Sequence, residues 1–297
     1  MSNLLLHEEN LLRVPFKGKR LAADLGRRAQ EVLDAARAVP IARDFGVSVI
    51  IRTKNDAANM GPLMEDIRAN QEYFLGPVQV VLVDTESSDD TLAIARRYDK
   101  FFEVTVVPIT QAEFTYPKSL NMGFEAARHP FVLTLVGHSR LSNKATLAVA
   151  RKYAGLPDVA GGFCFGLPNS NATLAEMLGS AFVNPGRMIA RQPRLQTTGR
   201  AGLMSANASM VRREVWEKLG GYDERYAAGG EDSELGDRML AAGYKIFVEP
   251  VLAVQHTHGL GFWGNVRQFF YWRKLGKPLP FKPEELARYR DDLGLDS

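Results

Sequence analysis

The chain is 297 residues long, 45% hydrophobic and 24% charged, an ordinary soluble-globular composition with length for one large domain or two small ones. A formal net charge of +3 is too weak to indicate nucleic acid, though a local cluster of cations would still suit an anionic substrate. The single cysteine, Cys164, excludes an internal disulfide and fits a reducing cytoplasm; no apolar run approaches the ~20 residues of a membrane span, and Leu4-Leu5-Leu6 is too short for a signal sequence.

In chain order, Lys19 to Ala38 predicts an amphipathic helix, with Leu21, Leu25, Val32, Leu33 and Ala36 on one face, Arg27, Arg28 and Glu31 elsewhere, and Pro40 ending it. Asp24, Glu31 and Asp34 dilute its basic side, which favours packing on the main domain over a membrane surface. Val47 to Ile51 is an apolar, β-branched run that predicts a buried strand, and Arg52-Thr53-Lys54-Asn55-Asp56 follows it. Polar residues directly after a buried strand are where open α/β sheets take ligands. A helix is expected over Met64 to Phe74, then a second buried strand over Val78 to Val83 running into Asp84-Thr85-Glu86-Ser87-Ser88-Asp89-Asp90-Thr91. Ser88 or Asp89 is placed to cap a helix over Thr91 to Tyr98, and Phe102 to Val107 is a third strand. This alternation argues for a parallel sheet with right-handed crossovers.

Phe114 to Ala127 reads as a loop feeding a helix, and Phe131 to Val136 as another buried strand, ending in Gly137-His138-Ser139-Arg140. A helix is expected over Thr146 to Tyr153. From Gly161 to Gly202 periodicity is lost among glycines, prolines and Arg187, Arg191, Arg194 and Arg200, the kind of stretch that is usually functional or mobile. A short helix is expected over Val211 to Trp216 and a strand over Tyr244 to Val248, followed by Val254-Gln255-His256-Thr257-His258-Gly259. Phe262 to Leu275 predicts a basic, aromatic helix carrying Arg267, Tyr271, Arg273 and Lys274; no internal repeat or low-complexity linker is present.

Between these lies Gly229-Gly230-Glu231-Asp232-Ser233-Glu234-Leu235. Two glycines permit a sharp bend, and Leu235, Met239 and Ala242 recur at helical spacing up to Gly243. The plainer reading of the acids is dipole stabilisation, worth roughly 0.3–1 kcal/mol each at a helix N-terminus. The sharper one makes a carboxylate a general base at the mouth of a site.

Four stretches decide between them. Val47-Ser48-Val49-Ile50-Ile51-Arg52-Thr53-Lys54-Asn55, Val83-Asp84 through Thr91, Asn207-Ala208-Ser209 through Tyr222-Asp223-Glu224, and Glu231-Asp232 with Ala242-Gly243-Tyr244, in this order, resemble the family 2 glycosyltransferases. The resemblance covers Val47 to His258. It implies an α/β fold: a GT-A-type, Rossmann-like single domain with a mostly parallel sheet over residues 46–260, a helical extension over 1–45 and a helical tail over 261–297. It also implies a nucleotide-sugar donor, a glycan, lipid-linked or other hydroxyl acceptor, and an inverting transfer with Asp232 as base and Glu231 beside it. Thr53 and Asn55 would line the nucleotide pocket, and Asp84 would accept hydrogen bonds from the base or ribose. Asp89 and Thr91 would hold the loop, and Trp216, Leu219 and Tyr222 would pack beneath the acceptor side. The expected location is cytoplasmic or peripheral at the inner membrane.

One departure matters. Most of the family carries Asp-x-Asp after the strand ending at Leu135, where it binds the donor's metal; this chain has Val136-Gly137-His138. It resembles a branch with a small residue plus histidine there, which Phe114, Tyr116, Asn121 and Gly123 also fit. Two alternatives stay open. Either His138, joined by His256 or His258, keeps a divalent metal (Mn²⁺ or Mg²⁺ by family habit, with imidazole preferring borderline ions), or no metal binds tightly and His138, Lys118, Arg52 or an arginine of the 187–200 stretch neutralises the donor diphosphate; Asn121 is a further expected donor-binding residue. His256 and His258 also have a plainer reading, satisfying backbone groups at a strand end. Two other classes compete: a sugar-nucleotide-binding protein without transfer activity, favoured by the missing acids, and a nucleotidyltransferase, disfavoured because no glycine follows Arg52. The sugar, nucleotide and acceptor are not legible.

Overall fold

The computed structural model describes residues 4–40, 42, 44–164, 166–178, 193–197, 207–226 and 229–275, excepting the side chains at 269 and 272–275. Arg187, Arg191 and Arg200 lie outside the described residues, as do the side chains of Arg273 and Lys274.

The chain opens with helices α1 (Glu8–Leu12) and α2 (Gly18–Ala38). It then alternates β1 (Val47–Thr53), α3 (Ala57–Phe74), β2 (Val78–Asp84), α4 (Thr91–Arg96), β3 (Glu103–Pro108), α5 (Tyr116–Ala126) and β4 (Phe131–Val136). The second half holds β5 (Arg140–Leu141), α6 (Ala148–Ala154), β6 (Val159–Phe163), α7 (Leu174–Leu178), β7 (Arg194–Gln196), β8 (Ser209–Arg212) and α8 (Arg213–Lys218). It closes with α9 (Glu231–Ala241), β9 (Lys245–Val248), β10 (Val254–Gln255) and α10 (Phe262–Leu275).

Eight strands form one sheet in the order β3-β2-β1-β4-β8-β6-β9-β7, and β10 pairs with β5 in a separate ribbon. The block β3-β2-β1-β4 is parallel throughout, β8 inserts antiparallel between β4 and β6, β6 and β9 run parallel, and β7 closes the edge antiparallel. From β1 the chain moves outward to β2 and β3, then returns to lay β4 on β1's other side. This is a topological switch point, where a crevice opens at the carboxyl ends of the strands. The register sets what lines it: Thr53 pairs with Asp84, and Arg52 pairs with Val136, the last residue before Gly137-His138.

The central strands are buried on both faces, which is why they read as unbroken apolar runs. Val49, Ile51, Val80 and Leu82 share a core with Leu25, Leu33, Leu63, Met64 and Val149 of α2, α3 and α6. Ile50, Val81 and Val83 share the other with Leu120, Phe124, Trp216, Leu235 and Met239 of α5, α8 and α9. The N-terminal helices are built into the first core, and Asn10 donates to Gln255 Oε1 at 2.7 Å, tying α1 to β10.

Three expectations are corrected. Arg28 is only 2% exposed: it stands three residues after Leu25 and four before Val32, so the helix turns it onto the apolar face. Val211 and Arg212 are strand, not helix, because β8 finds pairing partners on both sides; α8 starts at Arg213. Helix α3 begins at Ala57, seven residues before the expected start, and accommodates Pro62 in its second turn. Of the two residues placed to cap the helix at Thr91, Asp89 does so, its Oδ1 taking the Thr91 amide at 3.0 Å, while the Ser88 amide donates to Asn55 Oδ1 at 2.8 Å.

Candidate active site

The carboxyl edge of β1 and β2 carries the first part of the site. Asp84 is 5% exposed, and its Oδ2 accepts from the Ser87 amide at 3.0 Å. Its Oδ1 is buried and has no hydrogen-bond partner. A buried carboxylate oxygen without a donor is costly in a folded protein, and a ligand hydroxyl or N–H would satisfy it. Asn55, in the left-handed region at φ 52°, bridges the two strand-end loops: its amide donates to Ser87 Oγ at 2.9 Å and its Oδ1 accepts from Ser88. Thr53 Oγ1 donates to Asp56 Oδ2 at 3.0 Å. Asp89 Oδ2 receives the Ala57 amide at 3.0 Å, so Asp89 ties the start of α3 to the start of α4. Thr53, Asn55 and Asp89 therefore hold the shape of the crevice, and Asp84 keeps a free acceptor in it.

Across the switch point, the strand end of β4 brings His138 against the loop after β10. His138 Nε2 and His256 Nε2 are 2.9 Å apart, and the His258 ring centroid lies 5.7 Å from that of His138 and 4.6 Å from that of His256. The ligand nitrogens of all three lie within 4.8 Å of one another. Asp56 Oδ1 stands 3.8 Å from His138 Nδ1. Burial pushes His138 below its ordinary pKa, against the pull of Asp56. Burial, with the neighbouring His138, His258 and Arg52, pushes His256 down to about 3. At neutral pH these two rings thus offer lone pairs rather than charge. Buried Glu176 of α7 fixes the loop that carries His258: its Oε1 accepts the amides of His258 and Leu260, each at 3.1 Å. The His256 ring does not serve a strand-end backbone group; its own amide does that, donating to Leu167 O at 2.8 Å.

This donor set fits a borderline divalent ion such as Mn²⁺ or Zn²⁺, which takes imidazole readily, and not Mg²⁺, which wants an octahedron of oxygens.

Arg52 links the imidazoles to the acids. Its guanidinium lies over the Tyr116 ring, 5.3 Å from the centroid, and its Nε and Nη1 are buried without a hydrogen-bond partner. It lies within electrostatic reach of His256 on one side and of Glu231 and Tyr222 on the other. Lys118 is engaged with Glu113, 3.4 Å away. Asn121, expected among donor ligands, spends both ends of its amide on the Tyr222 backbone, donating to O at 2.9 Å and accepting from N at 2.8 Å. Its task is to hold the 219–224 turn on α5, where Trp216, Leu219 and Tyr222 are core residues.

The acid pair opens α9. Gly229 and Gly230, at φ 125° and 100°, make the bend, and Gly230 occupies the N-cap position without a capping side chain. Glu231 is 3% exposed. Burial, then the charge of Asp232, push its pKa up to about 7, with Arg52 pulling the other way. Asp232 is half-buried, and its Oδ1 accepts the Ser233 amide at 2.7 Å. Two adjacent carboxyl groups therefore sit in different environments, an arrangement that separates a proton holder from a proton acceptor. Buried Glu234 is structural: it pairs with Arg238 at 2.5 Å. Asp56, Glu176 and Arg238 escape a reading of the sequence because each acts across the fold, and nothing in their local pattern marks it.

Residues 44–274 match the family described as "Glycosyltransferase like family 2". The chain is similar to the O-antigen chain rhamnosyltransferase WbaN of Salmonella anatum, 28% identical over 198 residues, which cover 65% of this chain and 61% of that protein. It is 39% identical over 81 residues to the N-acetylglucosaminyl-diphospho-decaprenol L-rhamnosyltransferase of Mycobacterium tuberculosis (strain CDC 1551 / Oshkosh), 26% of either chain. The chain thus spans less than two thirds of either relative's length. Among solved structures it resembles the mannosyltransferase PcManGT from Pyrobaculum calidifontis in complex with GDP-Man and Mn²⁺ (TM-score 0.52, 21% identity, covering 98% of this chain and 82% of that one). It also resembles S. aureus TarS 1-349 in complex with UDP (TM-score 0.56, 17% identity, covering 84% of this chain and 70% of that one). These likenesses establish the GT-A fold.

Proposed function

The chain belongs to glycosyltransferase family 2, and from that premise we propose that it moves a sugar from a nucleoside-diphosphate donor to an acceptor hydroxyl with inversion, Asp232 taking the hydroxyl's proton. The observation that carries this is the convergence, at the β1/β4 switch point, of a buried acceptor without a donor on Asp84, buried donors without an acceptor on Arg52, and three imidazoles. That is the complement of a nucleotide diphosphate: hydroxyls or ring N–H groups to give, phosphate oxygens to receive.

On this reading Asp84 Oδ1 accepts from the base or ribose. Arg52 donates to the diphosphate, whose charge grows as the bond to the anomeric carbon breaks. A divalent ion held by His138, His256 and His258 would supply further charge stabilisation there; the Mn²⁺ in the PcManGT complex supports this for the present chain. Asp232, half-buried at the start of α9, accepts the proton of the attacking hydroxyl as the new C–O bond forms opposite the departing diphosphate. One base suffices for a single displacement, and no carboxylate nucleophile is needed. Glu231, held near neutrality, retains a proton for sharing with Asp232 or a bound hydroxyl. A lipid-linked acceptor is supported by the mycobacterial relative's name and by Phe262 and Trp263, which α10 exposes beside the loop of His258.

The test is Asp232→Asn. Transfer, followed as glycosidic product and released nucleoside diphosphate, should fall by about 10²–10⁴-fold, the usual worth of a positioned base, while donor affinity by calorimetry stays near wild type. Near-wild-type turnover would remove Asp232 as base. Released pyrophosphate, or donor binding without any product from the wild type, would favour the nucleotidyltransferase or the inactive binding protein.

A further inference from the structure

A carboxylate approaches His138 from the other side of the switch point. Asp56 lies at the start of α3, directly after β1. Its backbone amide donates to Thr91 Oγ1 at 2.8 Å. Its Oδ2 accepts from Thr53 Oγ1 at 3.0 Å and from the Lys54 amide at 3.3 Å. The carboxylate is thereby braced, with Oδ1 turned towards His138 Nδ1. It lies directly on Gly137: a Cβ on that residue would stand 2.2 Å from Asp56 Oδ2. The carboxylate of Asp56 occupies the space that a side chain at Gly137 would need, so the small residue and the histidine that follows it belong with the acid at the N-cap position of α3.

We propose that Asp56 is a positioning residue for the imidazole cluster, its Oδ1 selecting the His138 tautomer protonated at Nδ1, so that the Nε2 lone pair faces His256 and a divalent cation. This rests on the metal-binding part of the function proposed above. A ligand imidazole commonly gives its other N–H to a carboxylate, which fixes both ring orientation and tautomer. The 3.8 Å separation exceeds a hydrogen bond, so in this arrangement the carboxylate favours an N–H at the facing Nδ1 through its charge. At the 2.9 Å Nε2···Nε2 contact one nitrogen donates to the other; with His138 protonated at Nδ1, the donor is His256.

Asp56→Asn separates this role from the brace. The asparagine carbonyl still accepts from Thr53 and Lys54, but its NH₂ group faces His138 Nδ1 and stabilises the opposite tautomer, whose Nε2 carries a proton and cannot ligate. Titration of Co²⁺ and Mn²⁺ into the purified protein, read by calorimetry and by the visible absorption of Co²⁺, should show binding to the wild type. Asn should weaken it by about 10–100-fold, the typical cost of losing such a partner. The melting temperature without metal and the affinity for nucleoside diphosphate in chelator should stay close to wild type. Wild-type affinity and an unchanged Co²⁺ spectrum in Asp56→Asn would overturn the role of Asp56 while leaving the metal site standing. No Co²⁺ or Mn²⁺ binding by the wild type would overturn both. Should Asp56→Asn fold poorly, Gly137→Ala decides: its methyl displaces Asp56 from His138 and should reproduce the loss, and unchanged metal affinity there would overturn the proposal.

Discussion

Glu231 and Asp232 are neighbours in the chain, yet the fold treats them differently. Asp232 is half-buried, whereas Glu231 is enclosed beside Tyr222 and Asp232, with Arg52 as its compensating charge. Dipole stabilisation at the start of α9 explains why acids are tolerated there, but it does not explain why one of them is buried. The enclosure has a pH signature. Because the folded-state pKa of about 7 lies above the ordinary 4.5, the native state binds more protons than the unfolded chain between these values. Its contribution to stability is therefore complete below pH 4.5 and is lost as pH rises through 7. Glu231→Gln removes the ionisation. Melting curves should show the variant level with wild type near pH 4.5 and more stable at pH 8 by ~1–3 kcal/mol, or about 2–6 °C. Parallel pH profiles for the two proteins would mean that Glu231 does not carry the shift.

At the scale of elements, the acid pair depends on a turn that two helices grip. Arg238 of α9 donates to both oxygens of Glu234, at 2.5 and 2.7 Å, and to the carbonyls of Leu219 and Gly221, at 2.5 and 2.7 Å. Asn121 of α5 holds Tyr222 from the other side. Arg238→Met leaves Glu234 buried without its cation and should cost ~3–5 kcal/mol in chemical denaturation, and adding Glu234→Leu should recover most of it. A single-variant cost below ~1 kcal/mol would show the fork to be incidental. None of this grip is visible in the sequence, where Glu234 and Arg238 look like an ordinary i,i+4 surface pair. The contrast with β1, β2 and β4 is physical. Those strands are buried on both faces, so their apolar runs announce them, as does the alternation with helices that sets their parallel order. Strand β6 is hidden because Gly161 and Gly162 lack strand propensity and are there for close packing on Met210 and Phe247. Strand β8 is hidden because its four residues adjoin a helix and owe their state to pairing on both sides. The strand-end residues Asp84 and His138 were legible as candidates; Asp56 was one more polar residue in a run, since its partners Gly137 and His138 lie far along the chain, in the turn after β4.

The whole molecule gathers its open chemistry at one edge. Parallel strands deliver Arg52, Asp84 and His138 to the β1/β4 switch point, α9 brings the acids, and the loop carrying His256 and His258 runs on into α10, which packs against α7. No helix among the described residues is long and apolar enough to cross a membrane. Yet α10 presents Phe262 at 63% and Trp263 at 78% exposure, with Arg267 also exposed. From 250 to 283 the sequence contains no Asp or Glu, while Arg267, Arg273, Lys274, Lys277 and Lys282 fall within it. Exposed aromatic rings in a basic, acid-free segment suit the interface of an anionic bilayer, and a lipid-linked acceptor would meet the crevice there. Co-sedimentation with vesicles rich in phosphatidylglycerol should therefore capture the protein at low salt, less at high salt, and weakly with phosphatidylcholine alone. Replacing Phe262 and Trp263 together by serine should lower the vesicle-bound partition by roughly tenfold or more, since two large apolar side chains no longer leave water. Soluble-acceptor turnover should be unchanged in that variant. If the wild type stays in the supernatant with anionic vesicles at low salt, α10 is not a membrane contact and its rings face another surface.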